Sequence, residues 1–372
     1  MNAKLVEKIS LSQLFVLLFS FQIGTAIVVG IANPAKQDAW IAVLLASFIG
    51  IGLIQFYSFI LLKMPNKNLF EILEECFGRK ISIFLSIAYI EYFIYIACRI
   101  LRDFCELIKI VVFPKTPMEV ISITFMLVIS YILYMGIEVL GRSAEIFFTF
   151  IIIFLIIIML FLYISGSIDF DNLQPILADG FKPIIKAIFP GLLTFPNGEL
   201  IVILIIGAYV TQIKQIKKIG TISVALSGLL LTCFSLIRIS VLGFQMSNRA
   251  TFPLLNATRE ISVAHFIERL DALVVFVMMM GIYIKASIFF YCALRGMEHI
   301  TKLQYRPFVI PIAIQIALFT ILIAANTTEH FQEGLQFGAF VHIPFQFVIP
   351  FLVFLVILWK NRKKGAIPKD GI

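Results

Sequence analysis

Phe195-Pro196-Asn197-Gly198-Glu199 lies in the middle of an apolar run that extends from 183 to 210. Proline removes a backbone donor and glycine tolerates dihedrals that no helix uses, so a straight helix cannot continue through this point. The first apolar run, 10 to 33, is interrupted at a similar depth by Gln22-Ile23-Gly24-Thr25-Ala26. One such kink in a membrane helix is commonly structural; two at corresponding places, in the first and sixth runs, carry more. Backbone groups freed near the middle of a bilayer are tolerated only where they line a cavity or hold something. Paired interruptions point to a small-molecule site at the centre of an inverted repeat. The amides of each second half-helix suit a carboxylate, and the freed carbonyls suit a cation or an ammonium group.

The surrounding composition confirms the solvent. Of 372 residues, 60% are hydrophobic and only 14% charged, against roughly 25% charged in a soluble domain. At about 20 apolar residues per crossing, little chain remains for an extramembrane domain. A soluble enzyme or nucleic-acid reader is excluded, and the bilayer is the first partner. No nucleophile constellation, Walker motif, dinucleotide fingerprint or metal-ligand spacing occurs, so neither enzymatic activity nor a cofactor or metal is expected. The five cysteines sit in or beside apolar runs, make no CxxC, and read as small buried hydrophobes. The N-terminal run continues to about Val29 with no small-residue cleavage site and reads as a retained helix.

Ten apolar segments follow: 10 to 33, 38 to 63, 81 to 113, 117 to 136, 139 to 165, 183 to 210, 216 to 244, 264 to 294, 304 to 326 and 335 to 359. The expected architecture is all-α, a single polytopic domain over 1–372. It divides into five-helix repeats at 1–165 and 183–359, with a basic tail at 360–372. With the N-terminus placed inside, eighteen Lys and Arg fall in inner segments, eight in outer ones, and four are embedded (Arg99, Arg102, Arg238, Lys285). That bias puts both termini in the cytoplasm. Leu69 to Gly78 reads as an amphipathic helix at the inner interface, and the outer stretch 245–268 carries a helix around Leu254 to Ile261.

Charge inside a membrane is costly and needs a partner or a task. In the third segment Glu91, Tyr95, Arg99, Arg102 and Glu106 recur every three or four residues as one inward stripe. One reading is an ion-pair ladder, Glu91 with Arg99 or Arg238. Lys285 falls about six residues, roughly 9 Å, to the cytoplasmic side of the middle of the eighth segment. An ion pair with Glu91 or Glu199 is one account of it. Glu199 could bind a ligand amino group or cap the freed amides of its half-helix. His342 is expected to make an interhelical hydrogen bond. His265 and His299 sit near interfaces, His330 in a short outer loop, and Glu268, Arg269 and Asp271 read as an interfacial salt-bridge cluster.

Several motifs, in order, resemble the B subunit of spore germinant receptors, a branch of the amino acid/polyamine/organocation transporter superfamily. They are Ile9-Ser10-Leu11-Ser12-Gln13, Gln22-Ile23-Gly24-Thr25, Gly141-Arg142-Ser143-Ala144-Glu145, Asn172-Leu173-Gln174-Pro175-Ile176-Leu177, Phe195-Pro196-Asn197-Gly198-Glu199, and Phe266-Ile267-Glu268-Arg269-Leu270-Asp271. Each is weak alone; their order and spacing over nearly the whole chain make the set specific. The resemblance implies a LeuT-like five-plus-five fold with discontinuous first and sixth helices. It implies a subunit that binds a germinant, most often an amino acid, in the inner membrane of a dormant spore, acting with an A subunit and a lipoprotein C subunit. Binding would trigger release of ions from the spore core. The third helix flanks the central site in carriers of this fold, which makes Tyr92 and Tyr95 candidates for the pocket wall. With them stand Gly24, Thr25, Phe195, Gly198, Glu199 and Tyr283. In sodium-coupled carriers of this fold a cation sits between the first and eighth helices, so the Lys285 ammonium could occupy that place. A permease that moves its ligand, proton-coupled or uncoupled, shares all these features, and the sequence leaves both readings open. A pure scaffold ranks last, because paired breaks would be an unnecessary cost in one.

Overall fold

A computed structural model describes residues 7–260, 270–334 and 338–365. The expectations for His265, Glu268 and Arg269 fall outside them. Among the described residues nine helices are long and apolar enough to cross a bilayer. A tenth is added if Arg306–Leu322 is joined to Thr327–Glu333, which is bent from it by 104°. The spans are Leu11–Val29, Asn33–Lys63, Arg79–Val111, Met118–Met135, Ile137–Ile164, Lys182–Tyr209, Ile213–Arg249, Asp271–Thr301, the bent pair, and Phe340–Lys360.

Burial separates lining from core. The first, sixth and eighth spans are buried over most of their length, while the fifth and tenth show most of theirs to the outside. Exposed Phe48, Phe84, Leu127, Tyr163 and Phe351 form a greasy perimeter suited to lipid chains. The eighth span packs along the third, the second along the seventh, and the first lies between the seventh, fifth and eighth.

Local chemistry explains several starts. Ser10 and Gln13 cap the first span reciprocally: the Gln13 amide donates to Ser10 Oγ at 3.1 Å and the Ser10 amide to Gln13 Oε1 at 3.0 Å. Ser12 Oγ donates to Glu145 Oε1 at 2.8 Å, and Gly141 leaves room for the Gln13 side chain. Two of the motifs quoted above therefore bind each other, holding the start of the first span against the fifth. Asn68 caps the amphipathic helix Leu69–Phe77, accepting from Phe70 and Glu71 at 3.0 and 3.2 Å. The expected outer helix is present at Pro253–Arg259.

Three expectations change. The eighth helix begins at Asp271 and runs to Thr301. Arg295, Glu298 and His299 read as loop residues but are absorbed into it, Arg295 pairing with Glu298 at 2.9 Å and His299 with Glu74 at 3.1 Å. Lys285 consequently stands at the helix midpoint rather than displaced toward one end. His330 is not in a loop: it lies on the short helix Thr327–Glu333 and is 1% exposed, its Nε2 2.7 Å from Asp103 Oδ1.

Candidate functional site

Both expected breaks exist. The first helix ends at Ile23 and resumes at Ala26, with Gly24 far from helical dihedrals at φ 6°, ψ −109°. In the sixth span Phe195 is extended at φ −129°, ψ 124°, just before Pro196. The two breaks are tied together, since Gln22 Nε2 donates to Asn197 Oδ1 at 3.0 Å and Asn197 Nδ2 donates to the Leu192 carbonyl at 2.8 Å. Glycines let the backbones meet. A Cβ added at Gly281 would lie 3.0 Å from Gly24 Cα, and one at Gly50 would lie 2.2 Å from Asn197 Oδ1.

Lys285 crosses this junction fully buried. Its stem lies against Gly24, where an added Cβ would meet Cδ at 3.0 Å. Its Nζ is 2.5 Å from Glu199 Oε2, 4.3 Å from the Phe195 ring centroid and 5.3 Å from that of Phe21. Of the two pairings open to it, Glu199 is the one made. One carboxylate and two aromatic faces thus surround the ammonium at the point where both helices break.

Beside this pair lies a cavity of about 360 Å³, at the small end of the ligand-pocket range. Thr25, Phe195 and Glu199 line it, with the Gly30–Pro34 turn, Arg99, Asp103, Phe331, Gly334 and His342. Thr25 Oγ1 is buried with no hydrogen-bond partner. On the other side of the break, at the Glu7 end of the bundle, Glu7 accepts from Tyr291 and Tyr305 at 2.9 and 2.5 Å, and Arg295 Nη1 stands 3.6 Å away. The Ile9 amide donates to the Tyr209 carbonyl at 2.9 Å, joining the entry of the first span to the exit of the sixth.

The remaining sequence candidates occupy other places. Gly24 and Gly198 pack the breaks rather than face the cavity; a Cβ at Gly198 would meet Gln346 Oε1 at 2.0 Å. Tyr92 stacks on Phe345 at 4.3 Å between centroids and reaches the cavity wall through His342, whose Nδ1 is 3.0 Å from its hydroxyl. That contact is an interhelical hydrogen bond. Tyr95 is half-buried beneath Arg99, whose guanidinium sits 5.9 Å from its ring. Tyr283 turns away altogether: its hydroxyl is 3.0 Å from Ser143 Oγ and its ring lies edge-on to Phe147 of the fifth span. Two residues on a helix are separated by about 200°, so Tyr283 and Lys285 cannot both face the first span.

The stripe on the third span is also corrected. Glu91 is exposed, and neither Arg99 nor Arg238 pairs with it. Arg238 Nη2 instead donates to the Ile31 carbonyl at 3.1 Å, and Arg99 Nη2 to the His330 carbonyl at 2.8 Å. The inward face is set one residue later, by Tyr92. Arg102 and Glu106 do pair, at 2.8 Å. Sequence reasoning missed Asp103 and Gln346, which carry no pattern, and passed over Gln22 and Asn197 although they stand inside the two breaks.

The arrangement is that of a membrane transporter of the LeuT type. The chain aligns with a substrate-bound, outward-open Na+-coupled sialic acid symporter at TM-score 0.70, with 15% identity, covering 94% of this chain and 79% of that one. It aligns with MhsT in complex with L-phenylalanine at TM-score 0.62, with 12% identity over 95% and 99%. Within that fold the chain belongs to the spore germination protein family, the spore permeases, whose model matches residues 8–330. Spore germination protein KB of Bacillus subtilis (strain 168) is 35% identical over 360 residues, 96% of each chain. Fold and family are those of permeases, and the chain is a multi-pass membrane protein.

Proposed function

We propose that the chain is the B-type membrane subunit of a spore germinant receptor. It binds a small germinant, an amino acid, in the cavity between the broken helices. The observation that carries this is the cavity itself, framed by both breaks and bearing the unpartnered Thr25 hydroxyl. Phe195 and Glu199 complete the wall, Gly24 and Gly198 create the breaks, and Tyr92 and Tyr95 act through His342 and Arg99. Lys285 fills the place of a coupling cation, so binding needs no sodium.

Occupancy favours one packing of the broken helices, and a ligand shifts such an equilibrium only by its differential affinity for the two states. The two five-helix units, 1–165 and 183–359, are the bodies that move, with 360–372 a basic tail. The protein sits in the inner membrane of the spore with both termini cytoplasmic. An A subunit and a lipoprotein C subunit receive the change.

The likeness to symporters favours a second reading, a permease that carries the amino acid across. Spores lacking the gene, tested with amino acids, sugars and nucleosides, decide the receptor reading: loss of response to one amino acid is expected, and an unchanged response to all refutes it. Thr25→Val restored into those spores should weaken that response at normal protein level. Ligand uptake by the protein reconstituted alone would favour the permease.

A further inference from the structure

The charged groups of the cavity wall are not equally satisfied. Asp103 is bonded to His330 at 2.7 Å, and Glu199 is paired with Lys285 at 2.5 Å. Lys186 is exposed. Arg99 differs from all three. Its Nη2 is fixed by the His330 carbonyl at 2.8 Å, and its Nη1 is buried without a hydrogen-bond acceptor; Glu199 Oε2 and Lys285 Nζ also lack a directed hydrogen bond, but they face each other at 2.5 Å as a close ion pair. Among the described residues the carboxylate within 4.0 Å of Nη1 is that of Glu333, a half-exposed side chain at the edge of that distance.

We propose that Arg99 is the receptor for an anionic group on the ligand, which makes the cavity selective for small carboxylic acids. A guanidinium is always charged and presents a planar fork that matches a carboxylate. Arg238 also holds buried N–H groups without acceptors, at Nε and Nη1, but of the two arginines it is Arg99 that lines the cavity. The surroundings hold the fork in place. Tyr95 lies beneath it, and Gly334 leaves it room, since a Cβ there would stand 2.5 Å from Nη2. The His330 carbonyl that holds Nη2 belongs to the bent helix, which is pinned to the third span by Asp103–His330 and by Thr327 donating to Glu106 at 2.7 Å. With Thr25 Oγ1 in the same wall, a ligand would meet one charged donor and one hydroxyl.

This inference rests on the amino acid reading above, and the test separates the two. The full-length protein in nanodiscs is titrated with each standard L-amino acid, with the matching amino acid amide, and with glucose and inosine. At least one amino acid should bind, and its amide should bind about 10- to 100-fold more weakly, as expected for loss of a charge-assisted hydrogen bond. In Arg99→Gln the acid should fall to the level of the amide while the amide is unchanged, which a merely structural role would not produce. Arg99→Lys keeps the charge without the fork and should recover part of the preference, which keeps the test open if the glutamine variant does not fold. An acid-to-amide ratio that stays at the wild-type value in both variants overturns the role of Arg99 and leaves the amino acid reading standing. Binding of glucose or inosine alone, or of no probe, overturns both.

Discussion

Replacing Lys285 by Met keeps most of the stem that lies against Gly24 and removes only the ammonium. Glu199, 3% exposed, then has no counter-charge. Removing one member of a buried pair costs about 3–5 kcal/mol, because the remaining charge is left in a medium that cannot solvate it. The reverse change, Glu199→Gln, should be milder. The stranded ammonium keeps the Phe195 and Phe21 rings at 4.3 and 5.3 Å, worth about 1–2 kcal/mol together. The double variant removes both charges and should be more stable than Lys285→Met alone, with a coupling energy of about 2–3 kcal/mol. The assay is a double-mutant cycle on the purified protein, unfolded by denaturant titration in mixed micelles. Two results refute the reasoning: Lys285→Met within about 0.5 kcal/mol of wild type, or a double variant whose loss equals the sum of the singles.

Four further outcomes follow from contacts present or absent. Gly281→Ala drives a Cβ into the backbone of Gly24, with Cα, O and C at 3.0, 3.2 and 3.3 Å, and should cost about 1–3 kcal/mol in the same titration. Gly52→Ala, with nothing within 4 Å of its added Cβ, should be neutral. Glu7→Ala removes the acceptor of Tyr291 and Tyr305 and the neighbour of Arg295. Hydrogen exchange at the Ile9 and Thr211 amides, which donate to the Tyr209 and Ile9 carbonyls respectively, should rise about 10-fold or more; unchanged exchange would mean that Glu7 does not hold this end closed. Asp103→Ala frees buried His330 and should destabilise the protein by about 1–3 kcal/mol, read as earlier proteolysis near the bent helix Thr327–Glu333.

The breaks were legible because Pro196, Gly198 and Gly24 change the backbone itself, whatever surrounds them. The faces of the helices were less so. Spacing alone places Glu91 on an inward stripe, but membrane helices show one side to lipid and another to protein, and both sides are apolar. Periodicity of charge therefore carries a phase error of a residue, which here is the difference between Glu91 and Tyr92. The eighth helix was misplaced for a related reason: Arg295, Glu298 and His299 look like loop punctuation until Glu7 and Glu74 arrive from elsewhere to pair with them. Tyr283 was included on residue type alone, and its partner Ser143 lies 140 positions away.

The sequence alone determined the solvent, the approximate run of the spans and the two points where helices must stop, because apolar length and the chemistry of proline and glycine are local properties. Only the tertiary structure decided which charges are satisfied. Lys285 meets Glu199 and Asp103 meets His330, while Arg99 is left with a free N–H, and each of these facts depends on distances between residues far apart in the chain. In a low-dielectric interior that pairing sets the cost of every charge, so it is the fold that sorts the four embedded cations: Lys285 against Glu199, Arg102 against Glu106, Arg238 on the Ile31 carbonyl, and Arg99 in the cavity wall.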